Sequence, residues 1–448
     1  METDHEEEAA AESVADVDSD PGDARPAIQY DVKSSPRLLG QAKAEFACTA
    51  DNFLRGCEWA PDGSCVLTCS NDNSLRVFNL PPSVYQSGPA ETAGEVTEME
   101  SVLSAREGEL IYDYCWYPKM NSSDPVSCFF LSSCRDHPVH LWDAYTGQLR
   151  CSYRPYNHLD EISAAHSLQF SADGSKLYCG FDGIVRIFDT GRPGRDCIQR
   201  SVTSKKQASL SGIVSCIAVS EAQPGIYALG SYSRRIGLYS EPGGSALFLL
   251  EGQRGGVTHL QFTNDGTQLI SGGRKDNEML CWDLRQPGKV LWRAVRNVIT
   301  NQRILFDIDQ SSRFMVSGNQ DGSIVFYDMA AGDAQTVSSA DGEQHVAAES
   351  SSEIQLSELS RFAVHTDAVN GCRLHPSLPL VATTSGQRKF ASPGAEYSSS
   401  DSDSDCDGHS AAKSRSPQPQ PPPPQRDNSL RIWSLAATTG SSAESELT

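Results

Sequence analysis

Residues 257 to 285 form a unit of three short strand patterns separated by two tight turns. In the string VTHLQF the side chains alternate with a period of two, as they do in a β-strand. The turn string NDG follows at residues 264–266, and the third strand pattern ends in Trp282-Asp283. Strand, turn, strand, turn and a final Trp-Asp pair are typical of one blade of a β-propeller. Because one blade cannot bury both of its faces, the sequence should contain more of them.

Six further units with the same order of turns and strands occur along the chain. They span residues 52–80, 108–147, 166–194, 211–244, 304–328 and, in two separate pieces, 368–386 and 427–435. The unit at 211–244 is weaker, because its inner turn has no acidic residue. We therefore predict an all-β fold, a seven-bladed WD-repeat β-propeller over residues 34–436. The predicted remainder is a disordered acidic tail at 1–33, a C-terminal tail at 437–448 and disordered insertions at about 81–106, 333–359 and 389–426.

The last blade lacks an outer strand, because its third strand lies close to the C-terminus. An open ring would leave a sheet edge free for aggregation, so the missing strand must come from elsewhere in the chain. Residues 44–49, AEFACT, precede the first blade and alternate as a strand does. We expect this segment to pair with the last blade and close the ring.

Aspartates recur at the inner turns of the blades. Such residues accept hydrogen bonds that hold a turn against its neighbour, so we expect a structural role for them rather than catalysis. They are Asp72, Asp136, Asp182, Asp276, Asp321 and Asp427.

The formal net charge of −21 is unevenly distributed. Residues 1 to 24 contain ten acidic residues and no Lys or Arg. Residues 91–109, 333–358 and 396–407 are also net acidic and poor in strand formers, as unstructured segments are. The remainder of the chain, which contains the blades, is therefore mildly basic.

No pattern in the sequence indicates an enzyme. There is no phosphate-binding loop, dinucleotide fingerprint, zinc-protease helix or nucleophile elbow, so we expect no catalytic residue, no cofactor and no metal. The cysteines form no CxxC pair and are expected to be reduced packing residues. There is no run of about 18 apolar residues and no signal-peptide pattern, so we expect a soluble protein without a membrane partner.

Serines between aspartates near residue 400, followed by a Ser-Pro step, suit acidophilic and proline-directed kinases. The phosphorylation candidates are Ser398, Ser399, Ser400, Ser402, Ser404 and Ser416.

In a propeller, the turns between second and third strands open on the same face as the connections between blades. Cationic and aromatic residues are interleaved on this predicted face, and such a mixture suits a single-stranded nucleic acid. The candidates are Arg135, His137, Tyr156, His158, Phe181, Tyr232, Arg234, Arg235, Arg274, Lys275, Gln302 and Arg303. Because solvated loops are rich in Arg and Lys in any case, a generic protein-interaction platform remains open beside RNA binding.

Several long strings resemble one WD-repeat family, the telomerase Cajal body proteins. The strings are SSPRLLG at 34–40, YNHLDEISAAHSLQFSADGSKLYCGFDGIVRIF at 156–188, GRPGRDC at 191–197, GGRKDNEMLCWDLRQ at 272–286, TNQRILFD at 300–307 and HPSLPLVATTSGQR at 375–388. The resemblance runs from about residue 34 to residue 388, nearly the whole predicted ring.

This resemblance implies a scaffold that binds the CAB box of small Cajal body RNAs and of telomerase RNA. It also implies location in the nucleus, in Cajal bodies and at telomeres, with some protein in the cytoplasm, and roles in telomerase trafficking and double-strand-break repair. The implied protein partners are telomerase reverse transcriptase, dyskerin, coilin and the survival motor neuron protein, with a cytosolic chaperonin folding the ring.

A rival hypothesis rests on the string WDLR, which matches the WDxR motif of propellers that serve as substrate receptors of cullin ubiquitin ligases. In that case Arg285 would contact a ligase adaptor. A basic residue after Trp-Asp is common in blades, however, and Arg285 could instead pair with a neighbouring aspartate.

Overall fold

Seven sheets arranged as the blades of a ring make up the fold, and they are antiparallel except for one added parallel strand in blade 5 and one in blade 7. The computed structural model describes residues 28–47, 52–91, 96–203, 209–332, 354–389 and 427–437. The predicted seven-bladed propeller is confirmed. The two pieces at 368–386 and 427–435 join in one blade, as the sequence predicts.

The first three blades follow the chain in order, each with four strands from the ring centre outwards. Blade 1 contains β2 (Leu54–Trp59), β3 (Cys65–Ser70), β4 (Ser74–Asn79) and β6 (Leu103–Arg106); blade 2 contains β7 (Ile111–Trp116), β8 (Phe129–Cys134), β9 (Val139–Asp143) and β10 (Leu149–Tyr153); blade 3 contains β11 (Ser167–Phe170), β12 (Lys176–Gly180), β13 (Ile184–Asp189) and β14 (Ile198–Ser201).

Blades 4 to 6 repeat this arrangement, and blade 5 carries an additional parallel strand at its outer edge. Blade 4 contains β15 (Val214–Val219), β16 (Ile226–Ser231), β17 (Arg235–Ser240) and β18 (Ser245–Glu251); blade 5 contains β19 (Val257–Phe262), β20 (Gln268–Gly273), β21 (Glu278–Asp283), β22 (Val290–Val295) and β26 (Ile354–Leu356); blade 6 contains β23 (Phe306–Ile308), β24 (Phe314–Gly318), β25 (Ser323–Asp328) and β27 (Glu358–Ala363).

Blade 7 closes the ring with strands from both ends of the chain. It contains β28 (Val369–Leu374), β29 (Leu380–Ser385), β30 (Leu430–Ser434), β1 (Arg37–Ala42) and β5 (Thr97–Glu98). Strand β1 runs antiparallel to β30, from the pair Arg37 and Ser434 to the pair Ala42 and Leu430. The ring is thus closed by an N-terminal strand, as predicted.

The predicted identity of the closing strand is wrong. Ala44–Phe46 forms a turn of 3-10 helix, and residues 48 and 49 lie outside the described part of the chain. The closing strand lies seven residues earlier, at Arg37, and its regular alternation is interrupted by a bulge between Leu38 and Gly40. A Cβ at Gly40 would lie 2.8 Å from Cγ of Pro81, so the position leaves no room for a side chain.

The predicted limits of three disordered segments are too wide, since the segment at 333–359 also contains β26 and the start of β27. Within residues 81–106 lie helix α1 (Pro82–Glu91), which is broken at Gly88, and the outer strand β6 of blade 1. Within the predicted tail, the Asp31 amide donates to the Leu435 carbonyl at 2.7 Å, and Val32 is buried against blades 6 and 7. These short segments complete sheet edges or cover apolar side chains, which composition alone does not reveal.

Relays of hydrogen bonds cross several blades from the turn to the third strand. In blade 5, Trp282 Nε1 donates to Ser271 Oγ at 2.9 Å, Ser271 Oγ donates to Gln253 at 2.8 Å, and the Gln253 amide donates to Asp276 at 2.8 Å. In blade 7, Trp433, Thr383, His365 and Asp427 form an equivalent chain. Because every polar group in these relays is buried, the bonds fix the turns against the sheets.

Candidate nucleic-acid interface

The turns between second and third strands and the connections between blades meet on one face of the ring. The amide of Arg274, in the β20–β21 turn, donates to the Gly256 carbonyl between blades 4 and 5, and the amide of Lys275 donates to the Thr300 carbonyl between blades 5 and 6, both at 2.9 Å. We call this side, which carries Arg135, Tyr156, Tyr232 and Arg274, the upper face. The opposite side is the lower face.

Four of the predicted residues come together where blades 4 and 5 meet. The Arg274 guanidinium carbon lies 3.9 Å from the centre of the Tyr232 ring. Lys275 and Arg234 are exposed, and both adopt the left-handed backbone of a tight turn, with φ of 50° and 71°. Among the ion pairs of the described residues, none engages Arg274 or Lys275. This corner therefore presents uncompensated positive charge beside a tyrosine.

Arg235 lies beside this corner but is already engaged. Its Nε lies 2.8 Å from Glu251 Oε1, and its Nη1 donates to the Ser209 carbonyl at 3.2 Å. Blade 4 compensates for its missing turn aspartate with hydroxyl groups, since Ser231 and Ser233 both donate to the Ser211 carbonyl.

A second group of predicted residues lies where blades 2 and 3 meet. Arg135 is exposed and its Nε donates to the Tyr112 hydroxyl at 3.4 Å. Tyr156 lies beneath the guanidinium of Arg195 at 4.6 Å from its ring centre. His158 is exposed, and His137 is half-buried with its ring 6.3 Å from that of His140. Tyr112, Tyr156 and His158 line a cavity of about 670 Å³.

Phe181 lies at the wall of this cavity and is only 5% exposed. The Arg186 guanidinium covers its ring at 4.5 Å, so most of the ring is not available to stack on a base. Arg186 and Arg195 were not among the predicted residues. The sequence signal for Arg186 is a charged residue in the middle of the strand string IVRIFD.

Gln302 and Arg303 do not belong to the exposed rim. The Gln302 amide donates to the Gly386 carbonyl at 2.9 Å. Arg303 reaches into the ring centre, where it binds Asp113 of blade 2 at 2.8 Å and the Ser215 carbonyl of blade 4 at 3.0 Å. The position of a residue in a loop does not determine the direction of its side chain, and here both side chains tie blades together.

The ring centre encloses a cavity of about 250 Å³ lined by opposite charges. Arg373 bonds Asp307 at 3.3 Å and lies 3.8 Å from Glu58. Burial raises the pKa of the Glu58 carboxyl to about 7, although Arg373 opposes the shift. Because its arginines are matched by carboxylates, this cavity does not add to the positive charge of the upper face.

The turn aspartates divide into two groups. Asp72, Asp276, Asp321 and Asp427 accept hydrogen bonds from backbone or side-chain groups around their turns. Asp136 and Asp182 are exposed and line the cavity between blades 2 and 3. Their carboxylates therefore face a space large enough for a ligand.

Comparison with known proteins identifies the family. The model "WD domain, G-beta repeat" matches residues 41–79, 150–189 and 244–283. Telomerase Cajal body protein 1 of Mesocricetus auratus is 50% identical over 394 residues, which cover 87% of this chain and 69% of that protein. The chain belongs to the telomerase Cajal body protein family.

Proteins of two other organisms extend this relationship. Telomerase Cajal body protein 1 of Homo sapiens is 51% identical over 82% of this chain, and the Drosophila melanogaster homolog is 33% identical over 83%. This chain spans 63% of the length of each of these two relatives. The membership agrees with the WD-repeat ring and with the family resemblance of the sequence strings.

Three further predictions concern the phosphorylation candidates, the membrane and Arg285. The serines from Ser398 to Ser416 lie outside the described residues. No helix within the described ranges is long and apolar enough to cross a membrane. Arg285 binds Asp283 of its own blade at 2.9 Å.

Proposed function

We propose that this protein is a scaffold that binds the single-stranded terminal loop of small Cajal body RNAs and telomerase RNA through the CAB box. In this role it gathers the particles in Cajal bodies of the nucleus and promotes delivery of telomerase to telomeres. The proposal is supported by membership of a family named for telomerase and the Cajal body. It is supported equally by the chemistry of the upper face.

The pairing of cations with aromatic rings favours RNA over a generic protein partner as the ligand of the upper face. Arg274 with Tyr232 and Arg195 with Tyr156 form two such pairs on the same face, although the Arg195 guanidinium also pairs with Asp160 at 2.8 Å. Unpaired loop bases stack on such surfaces, at about 1 to 3 kcal/mol for each base, while Arg and Lys meet the phosphates. Lys275 and Arg234 add exposed positive charge next to the first pair.

The same scaffold would hold the protein partners that the family resemblance implies: telomerase reverse transcriptase, dyskerin, coilin and the survival motor neuron protein. A role in double-strand-break repair belongs to the same proposal. The rival role as a ligase receptor receives no support from the geometry, because the Arg285 guanidinium is held by Asp283.

The test measures binding of a fluorescent terminal-loop RNA to the purified protein by anisotropy, at several salt concentrations. Replacing Arg274 and Lys275 together with Ala should weaken binding. If both contact phosphates, the slope of log K against log salt should fall in magnitude by about 1.4, since each phosphate contact in a single strand contributes about 0.7.

The matched control removes the same charge from the lower face by replacing Arg192 and Lys289 with Ala, both of which are exposed. This variant should bind RNA like the wild type. Equal affinity of the two double variants, or equal wild-type affinity for a loop of scrambled sequence, would contradict the proposal.

A further inference from the structure

Blades 1, 3 and 7 share a sequence pattern at the third strand. An aspartate in the turn is followed four residues later by an arginine and six residues later by an aromatic residue. The pattern occurs as Asp72, Arg76 and Phe78, as Asp182, Arg186 and Phe188, and as Asp427, Arg431 and Trp433. The three blades therefore provide an internal comparison of one pair of opposite charges.

In blades 1 and 7 the pair is formed. Arg76 Nη2 lies 2.7 Å from Asp72 Oδ2. Arg431 Nη2 lies 3.3 Å from Asp427 Oδ2. Each arginine thus neutralises the turn aspartate of its own blade.

In blade 3 the same two residues are separated. Arg186 is only 4% exposed, packs over Phe181 at 4.5 Å and bonds the Gln199 side chain at 3.3 Å through Nε. Its Nη1 is buried and has no hydrogen-bond partner among the described residues. Asp182 is exposed instead of being paired with it.

A buried guanidinium group without a carboxylate is energetically unfavourable. Burial lowers the pKa of Arg186, but the group stays protonated at neutral pH. Separation of the pair therefore destabilises the fold. Uncompensated buried groups of this kind are found at functional sites. The separated residues Arg186 and Asp182 both line the cavity between blades 2 and 3, and Asp136 lines it as well.

The cavity has the properties of a site for a flat, polar ligand. Its volume of about 670 Å³ lies within the range of roughly 300 to 1,000 Å³ that is usual for small-molecule sites. Its walls include the rings of Tyr112 and His166, whose centres are 5.1 Å apart, and that of Tyr156. Aromatic walls of this kind stack on nucleobases.

We propose that this cavity takes one unstacked guanine of the bound RNA. A guanidinium group donates two parallel hydrogen bonds, and guanine offers the adjacent acceptors O6 and N7. A carboxylate accepts two, and guanine offers the adjacent donors N1–H and N2–H. Arg186 would read the first edge, and the Asp182 carboxylate would read the second.

Other bases match this arrangement less well. Adenine and cytosine offer one amino group next to a ring acceptor, so they cannot donate to both oxygens of a carboxylate from adjacent positions. Uracil has a single ring N–H between two carbonyl groups. The inference rests on the proposed RNA-binding function and specifies the base that one part of the upper face selects.

The experiment uses the full-length protein and a fluorescent terminal-loop RNA in which each loop guanosine is replaced in turn by inosine, which lacks the 2-amino group. At one position this replacement should weaken binding by roughly 10-fold or more, as expected for loss of a base-specific contact of about 1 to 3 kcal/mol. A 7-deazaguanosine at the same position, which lacks N7, should also weaken binding.

Variants connect this selectivity to the two side chains. With Asp182→Asn, inosine and guanosine at that position should bind equally, and with Arg186→Lys the 7-deaza substitution should lose its effect. Asp189→Asn is the control, since it makes the same charge change at the lower end of β13, the strand that follows the Asp182 turn. Asp182 is exposed, so its variant should fold, and melting curves verify folding of both cavity variants.

The outcomes distinguish this inference from the function on which it rests. If the wild type binds the loop tightly but no position separates guanosine from inosine, or if Asp182→Asn keeps the selectivity, the guanine site is refuted and RNA binding stands. If the wild type binds the loop no better than a scrambled loop, the proposed function fails, and the guanine site fails with it.

Discussion

Closure of the ring by β1 leads to a quantitative prediction. Leu39 is 3% exposed and belongs to the buried cluster between blades 7 and 1, together with Phe78, Leu430 and Ile432. Replacement of a buried leucine by alanine removes apolar contacts and leaves a cavity, which costs about 2 to 5 kcal/mol. We expect Leu39→Ala to lower the free energy of unfolding by this amount.

The assay is urea denaturation followed by circular dichroism, with Gln41→Ala as the control. Gln41 lies in the same strand but is partly exposed, and its backbone carbonyl bonds Met99 in either variant. It should change stability by less than about 0.5 kcal/mol.

Two truncated chains extend the test from one side chain to the whole strand. A chain that begins at Ile28 keeps β1 and should melt like the full chain. A chain that begins at Ala44 lacks β1, leaves β30 as an open edge and should melt at a lower temperature or aggregate. If both truncated chains and Leu39→Ala melt like the wild type, β1 does not close the ring and our reasoning is refuted.

Three further predictions follow from the same contacts. Burial lowers the pKa of His375 to about 4, although the hydrogen bond from Nε2 to the Gly63 carbonyl opposes the shift. The neutral ring also accepts hydrogen bonds from the Ser377 and Leu378 amides at Nδ1. Stability should therefore fall as pH drops from about 6.5 to 4, by up to about 3 kcal/mol, and denaturation of His375→Gln across this range should show a flatter profile. Trp282→Phe removes the donor to Ser271 and should destabilise the fold by about 1 to 3 kcal/mol in urea denaturation, whereas an unchanged midpoint would show that the relay is dispensable. Arg285→Ala should leave RNA affinity unchanged, because the Arg285 guanidinium is held by Asp283 of its own blade, and a loss of RNA affinity would contradict its assignment as a local contact. The melting temperature should fall, because the Asp283 carboxylate is only 6% exposed and loses its charged partner.

The blade pattern could be predicted because it depends on local chemistry. Strand alternation and turn residues recur in each unit, and these properties do not need distant contacts. The position of the closing strand could not be predicted in this way, because it depends on contacts between distant parts of the chain. AEFACT alternates more regularly than RLLGQA, but β1 pairs with β30 through a bulge between Leu38 and Gly40 and buries Leu39 between two blades.

The candidate interface was predictable in position but not in detail. The order of strands places the loops on one face, and the positions of Arg274 and Lys275 on that face follow from it. Side-chain direction does not, since Arg303 turns into the ring centre to meet Asp113. The separation of Arg186 from Asp182 was equally hidden, because the sequence pattern is the same as that of the paired Arg76 and Asp72.

Ultraviolet crosslinking of the terminal-loop RNA to the purified protein, with the attached peptides identified by mass spectrometry, would locate the RNA on the ring. The upper face as the RNA interface predicts adducts on peptides that contain Tyr156, Tyr232 or Arg274, and their loss when unlabelled loop RNA competes. Adducts confined to the lower face, around Arg192 or Lys289, would contradict it.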